Sequence, residues 1–573
     1  MEQIRLNIRN TIFEVKKSLL CEHSDYFKAM FNGKYVEDKQ KEVSINVVDP
    51  QIMRLILQYM NTTSIDISEY SSKTVCEILI VANFLQITKL LKHIECSLHK
   101  QVCCKNWMAI MDTAETFLLT KLVQFCSMFG LYGFGSMQPQ HVPTIFKLVW
   151  YLSHPNLNAE SELAVFNFGL QWFLNNDLGA DVLLVILACL DFKRMTHQDI
   201  NIIKKSISEF DGSLAFYVVS CFCDLTNDGL TISDAILIEH KTVVCRKYSM
   251  RVWTEAINII KGSTSRILHY TPVLPMQKRE DDFKNVVPQY VYTFENDRGF
   301  EQWLNVEESK WGWNVISWGP TKLVIVCCEQ ANSSGVCVRD IKVYDTLWKQ
   351  WTRHGVDLPA RSLAGLTIVG DSLFIIGGMG DGLCCLALKT ALVYNLNERT
   401  YKVLPDLPEG LLHPAVCSHK GVVYVAGKRN IYCYEESGTT GCWRSVIALD
   451  IRMRCIISYK DHIYCMQRSQ DHLFRFRPDV DQTIEIVTSF HYPPATLLNT
   501  GERLLIITSK EYIAVEEFQE ESKTTDVIHT SLNSSLKLNM VAGFCTAALR
   551  IPPDCKEFSE YHKSYLKRYS DQQ

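Results

Sequence analysis

A hydrophobic run preceded by a turn recurs through the second half of the chain. "LVIVCC" begins at Leu323, "LFIIGG" at Leu373, "VYVAGK" at Val423, "IYCMQR" at Ile463 and "LLIITS" at Leu504, at spacings of 50, 50, 40 and 41 residues. The turns before them read "GPTK", "VGDS", "HKGV", "YKDH" and "TGER". Further strands with an aromatic follow, among them "IKVYD" at Ile341 and "ALVYN" at Ala391, and Trp351 and Trp443 close two of the units. A period of this length holding about four short strands reads as a β-propeller blade, since one such unit cannot bury its apolar faces alone. Five internal units are visible. A sixth is expected to be shared between "QYVYTFENDRGFEQW" (289–303) and "NMVAGFCTAALRI" (539–551), because a ring closed from both ends leaves no sheet edge to aggregate.

One unit is sharper than the others. Gly377 and Gly378 are expected to end an inner strand where blades crowd the central channel, since residues without a Cβ allow close backbone approach and unusual φ. With its hydrophobic strand, Gly-Gly pair and Tyr-containing strand, 361–408 resembles the kelch repeat, whose mark adds a Trp. The other units keep one glycine or none.

The first half has helical spacing. Ile4, Leu6 and Ile8 alternate as in a strand, and Phe13 and Val15 alternate again after an Arg-Asn-Thr turn. Leu19, Leu20, Tyr26, Phe27, Met30 and Phe31 follow at helical intervals, with Ser24 placed to cap the second helix. Together with "VCEILIVANFLQITKLLKHIECSL" (75–98), this resembles a BTB/POZ domain over 1–98. Residues 99–265 resemble the all-helical BACK domain: Asn156, Leu157, Ser161, Glu162 and Trp172 match its pattern, and Ser161-Glu162 reads as a helix start. The expected order is therefore an α/β BTB/POZ domain (1–98), an all-α BACK domain (99–265), a proline-rich linker (266–288), an all-β kelch propeller of about six blades (289–552) and a polar C-terminal tail (553–573). The chain reads Lys16-Lys17 where the family has His-Arg. Its first strand starts at Ile4, without the preceding helix that many relatives exchange between subunits. A weak homodimer or a monomer is expected.

Several functions are excluded by what the sequence lacks. A net charge of −4 and no run of five like charges argue against nucleic acid as a partner. The longest apolar run, "DVLLVILACLDF" (181–192), is about half of a membrane span and reads as a buried helix. No export signal precedes the 22 cysteines, so free thiols in a reducing, cytoplasmic setting are expected. The adjacent pairs Cys103-Cys104, Cys327-Cys328 and Cys384-Cys385 do not suit a metal clamp, and no metal or cofactor is expected. No Gly-x-Ser-x-Gly, Walker loop or His-Glu-x-x-His occurs, so no enzyme activity is assigned. "HSD" at 23–25 reads as a helix junction, and "GGMGDGLCC" (377–385) lacks the Lys-Ser/Thr and helix of a phosphate cradle.

The whole chain resembles the BTB–BACK–kelch family of cullin-3 ubiquitin-ligase adaptors. That resemblance implies a cullin-3 contact at Tyr35 and Glu37, a hydrophobic anchor with one charge to fix register, supported by Phe31. It adds a second surface from Trp107 and Phe117. It also implies a target-binding rim on the propeller, with Arg361, His413, Arg452 and Arg454 as candidates. Arginine suits carboxylates and carbonyls because its planar fork makes paired hydrogen bonds. The target protein is not named by the sequence. The competing reading is a structural protein that uses its kelch ring for cytoskeletal contacts without engaging a cullin.

Overall fold

Arg9 (φ 44°) and Asn10 (φ 70°), both left-handed, turn β1 (Gln3–Ile8) back onto β2 (Thr11–Lys16). Ile4, Leu6 and Ile8 face inward from β1, as their alternation requires. β3 (Glu42–Ser44) pairs with β1 in parallel, giving a three-stranded sheet in the order β2-β1-β3. α1 (Lys17–His23) and α2 (Asp25–Met30) meet at Ser24, whose hydroxyl accepts the Phe27 N–H and caps α2. The helix junction expected at 23–25 is thus present. α3 (Pro50–Thr62) starts with an Asp49 cap and a proline in its first turn, and ends on left-handed Thr63. α4 (Ser72–Phe84) and α5 (Thr88–Gln101) complete this part.

This computed structural model describes residues 3–33, 40–225, 248–261, 264–267, 269–279, 289–306, 312–326, 337–354, 357–380, 386–436, 441–467, 471–478, 480–509, 512–531, 535–538, 547–554, 557–560, 562–563 and 567. The chain forms two units: Met1–Ile267 together with Pro553–Gln573, and Leu268–Pro552. Among the described residues, the helical region of the first unit contains α6 (Trp107–Thr116), α7 (Thr120–Tyr132), α8 (Ile145–Ser153), α9 (Glu162–Leu174), α10 (Val182–Ala188), α11 (His197–Ser206), α12 (Leu214–Leu225) and α13 (Met250–Lys261). Ser161 caps α9 by accepting the Ala164 N–H. No helix of the described residues is long and apolar enough to cross a membrane.

The second unit forms six sheets among its described residues. Five are four-stranded and antiparallel, consecutive along the chain within 314–354, 365–404, 415–448, 453–489 and 496–531. The sixth is built from both ends. β4 (Thr271–Lys278), β5 (Gln289–Glu295) and β6 (Gly299–Val306) pair in order, and the strands Leu536–Leu538 and Ala547–Leu549 both pair with β4. Alternate residues of β4 face opposite neighbours. Leu274 and Met276 join Leu505, Ile507 and Val515 on one side, and Val273 joins Val315, Leu323 and Ile325 on the other.

Two expected boundaries change. Residues 271–278, expected in a linker, form β4 instead. Pro272 and Pro275 suggested a linker because proline is rarely found in a central strand. Here Leu274 and Pro275 fall between the two stretches that pair with the closing strands, so Pro275 withholds no donor from that ladder. The segment from Pro553, expected to be a polar tail, belongs to the first unit, where Phe558 is fully buried. Gly377 and Gly378 follow Ser372–Ile376, the second strand of its sheet, which is paired on both sides. Both have positive φ (62° and 94°), and a Cβ would lie 2.6 Å from the Leu411 carbonyl oxygen or 2.5 Å from that of Ser362.

Candidate protein-interaction sites

α4 is apolar on more than one side. Val75, Ile78, Leu79 and Ala82 are buried, while Ile80 and Phe84, one turn apart, remain 55% and 39% exposed. The Tyr26 ring, from α2, lies 5.1 Å from that of Phe84. Phe31, at the end of α2, is half-buried, stacked on Phe27 at 6.0 Å, with the Lys17 ammonium 4.9 Å from its ring centre. Near the start of α4, Cys76 sits 3.5 Å from Thr113 on α6. Just past α6, Phe117 is half-buried and Leu118, with φ 55°, is 82% exposed. Ile80 and Phe84, adjacent on one face of α4 and joined by the Tyr26 ring, are a candidate interaction site.

Of the residues expected to contact a cullin, Tyr35 and Glu37 lie outside the described residues. Phe31 and Phe117 reach the surface in part. Trp107 does not: its indole is buried 5.2 Å from the Tyr151 ring and against Gly130, where a Cβ would come within 2.4 Å. It is a core residue of the helical region. The sequence reading missed Tyr26, Ile80, Phe84 and Leu118. The signal was present in "VCEILIVANF", which has more apolar residues than one helix face can bury.

On the propeller, Arg361 is not a rim residue. It is 3% exposed, and Nη1 donates to the carbonyls of Gly377 (3.2 Å), Thr390 (3.2 Å) and Ile375 (3.4 Å), while Nη2 donates to Thr390 Oγ1 (3.0 Å). A buried guanidinium needs such acceptors. This one ties together the chain on either side of the "GGMGDGLCC" loop.

His413 and Arg454 do come together. Both line a cavity of about 350 Å³ between the strands that open five of the sheets, with Asn314, Thr367, Ser418, Ser458 and Asn499. No carboxylate appears among its described lining residues, so its fixed charge is cationic. The Cys417 and Cys455 thiols line it too, and burial raises both above the ordinary thiol value, which favours the protonated form. Arg452 is exposed beside this cavity; it donates to the carbonyls of Leu412 and His413 and so holds the left-handed turn (His413 φ 47°) that presents His413.

Residues 3–102 match the BTB/POZ domain family and 360–408 match the kelch motif, which coincides with the sheet containing the glycine pair. The chain is 31% identical over 204 residues to Kelch-like protein 40 of Xenopus tropicalis, covering 34% of this chain and 32% of that one. It is 28% identical over 201 residues to Kelch-like protein 41 of Homo sapiens, covering 32% and 31%. The alignments therefore span about a third of the length of these relatives. A longer likeness, 19% identical over 580 residues, covers 95% of this chain and 81% of Kelch repeat and BTB domain-containing protein 6 of Homo sapiens. A BTB/POZ domain, a helical region and a ring of six antiparallel sheets account for both matches, and in these parts the chain is similar to Kelch-like and to kelch-repeat and BTB-domain proteins.

Proposed function

We propose that this protein is a substrate-recognition adaptor of a cullin-3 ubiquitin ligase. The observation that carries the reading is the apolar group formed by exposed Ile80 and Phe84 with half-buried Tyr26 on the BTB domain. Cullin-3 docks there, with Phe31 at the margin, Tyr35 and Glu37 in the adjoining loop, and Phe117 and Leu118 extending the contact. The propeller holds a target protein at the cavity lined by His413 and Arg454, whose cationic lining suits an acidic or carbonyl-rich segment. The chain contributes no bond-making group. It raises the target's effective concentration beside the ubiquitin-charged partner. Its setting is intracellular and reducing, in keeping with the free thiols of its described cysteines.

Co-purification of the full chain with cullin-3 tests this. Loss of an aromatic or aliphatic anchor at an interface costs about 2 kcal/mol, roughly thirtyfold in affinity. Ile80→Asp with Phe84→Ala is expected to abolish cullin-3 capture while the far-ultraviolet spectrum stays unchanged. Tyr35→Ala with Glu37→Ala should weaken it. Wild-type protein that captures a target but no cullin-3 would reject the adaptor reading in favour of a scaffold.

A further inference from the structure

The chain leaves the helical region at a buried ion pair. Arg266 lies almost fully buried against Glu162, with Nε and Nη2 donating to its two carboxylate oxygens at 2.9 and 3.0 Å. Nη1 also donates to the carbonyl of His154 at 2.9 Å, and the Arg266 backbone N–H donates to Asp191 at 3.0 Å. His154, just past α8, is therefore the residue on which the exit is pinned. Its ring is fully buried, and the segment after the propeller packs onto it.

That segment is helical at 557–560 and 562–563. Phe558 is fully buried, and its ring stacks with His154 (6.5 Å, 23°) and with His562 (5.6 Å, 19°). His562 in turn stacks on His154 (5.9 Å, 26°) and meets Trp150 edge-on at 6.0 Å. Three rings from two distant parts of the chain thus form one stack over α8. We infer that the described residues after Pro553, which carry Phe558 and His562, form a strap, that Trp150 and His154 form its docking surface on the helical region, and that acidification releases it.

The chemistry of the two imidazoles supports release by protons. His154 Nδ1 accepts the Asn156 backbone N–H at 3.1 Å, so a proton on Nδ1 would break that bond. His562 Nδ1 is buried with no hydrogen-bond partner among the described residues, so a charge there would be unsolvated. Two imidazolium rings stacked at 5.9 Å would repel each other. The charged groups facing this corner are Arg266, Glu162 and Asp191, and the two carboxylates are already engaged by Arg266 and its backbone. Asp554, Glu557, Glu560 and Lys563 of the strap itself are on its exposed side. Burial, with lesser contributions from His562 and Arg266, pushes His154 down to about 3, and burial lowers His562 as well. A histidine held neutral by folding stabilises the closed state fully above its ordinary value near 6.5. That stability is lost progressively as pH falls below it. Between pH 7.5 and 5.5, His154 alone shifts the strap toward release by up to about tenfold.

Hydrogen exchange of the full chain at pH 7.5 and 5.5, corrected for intrinsic rates, tests the strap. Peptides covering 148–156 and 553–567 should be protected at pH 7.5 and exchange about tenfold faster at pH 5.5. His562→Phe keeps the stack without its proton site and should reduce that response. Phe558→Asp should open the strap at both pH values while peptides of the six sheets keep their protection. Equal protection of wild-type 553–567 at the two pH values would overturn the proposal. So would its lack of protection at pH 7.5, or an acid response that spreads equally through α3 and α4, which would be general unfolding.

Discussion

The Arg361 guanidinium reaches across its sheet to the carbonyl of Gly377, 3.2 Å away, so that the arginine and the glycine pair act as one structural unit. Gly377 and Gly378 let the backbone pass close to Leu411 and Ser362, and Arg361 neutralises the carbonyls that this turn leaves inside the blade. Arg361→Ala should therefore unfold the propeller more easily. The Thr390 carbonyl keeps the Gly377 N–H as a donor, but a buried carbonyl that loses its only donor costs about 1–3 kcal/mol, and a loss of that size is expected in chemical denaturation. Arg361→Lys should recover only part, because an ammonium cannot reproduce the fork. An unchanged midpoint would return Arg361 to the surface.

In the helical region, Gly130→Ala should push on Trp107. A Cβ at this position lies 2.4 Å from the indole, and the ring is enclosed by Tyr151. Overpacking of this kind costs about 1–3 kcal/mol. Gly135→Ala is the control, since nothing lies within 4 Å of its Cβ position. Thermal unfolding of the two variants should differ, with only Gly130→Ala lowered.

The thiols should divide by burial. Desolvation raises both Cys126 and Cys189 to about 12. At pH 8 only about one in ten thousand of either would be thiolate, the nucleophilic form. Cys96, Cys103 and Cys442 are exposed. Maleimide labelling of the native chain at pH 8, followed by peptide mass spectrometry, should mark these three well before Cys126 and Cys189, which it should reach only after denaturant. Early modification of Cys126 would show that the helical region opens in the native state.

Removal of β4 should damage the ring more than its proline content suggests. A fragment spanning 268–552 retains the strand that joins β5 to both closing strands, whereas 282–552 lacks it. The shorter fragment exposes the open edge of β5 and the apolar surfaces that Val273, Leu274 and Met276 cover. It should aggregate while the longer one stays monodisperse by light scattering. Equal behaviour would mean that the ring closes without β4.

Much of the fold was legible because local chemistry decided it. The alternation of Ile4, Leu6 and Ile8 gave β1, and the hydroxyls of Ser24 and Ser161 marked helix starts, each of which caps its helix in the structure. The five internal sheets followed from the repeated run and turn. The failures share one cause, contacts distant in sequence. Pro272 and Pro275 read as linker because the strands that complete their sheet lie beyond residue 535. Arg361 read as a rim residue because the carbonyls it serves are brought to it by the turn after Gly377. Phe558 sat in a polar stretch, and nothing nearby pointed to His154. His413 and Arg454 were singled out from their place before the inner strands and line one cavity, while Ile80 and Phe84 were hidden in a run that looked like core.

The closing sheet has a consequence for synthesis. Thr271 pairs with Leu549, so the first strand of the ring waits for a partner made at the other end of it. While the chain is being translated, the five sheets within 314–531 can each form from neighbouring segments, but β4 presents an unmatched edge throughout. The growing protein thus carries an open, adhesive ring until residues 536–549 have left the ribosome. Any stall or frameshift before that point leaves a product whose β4 is a template for aggregation.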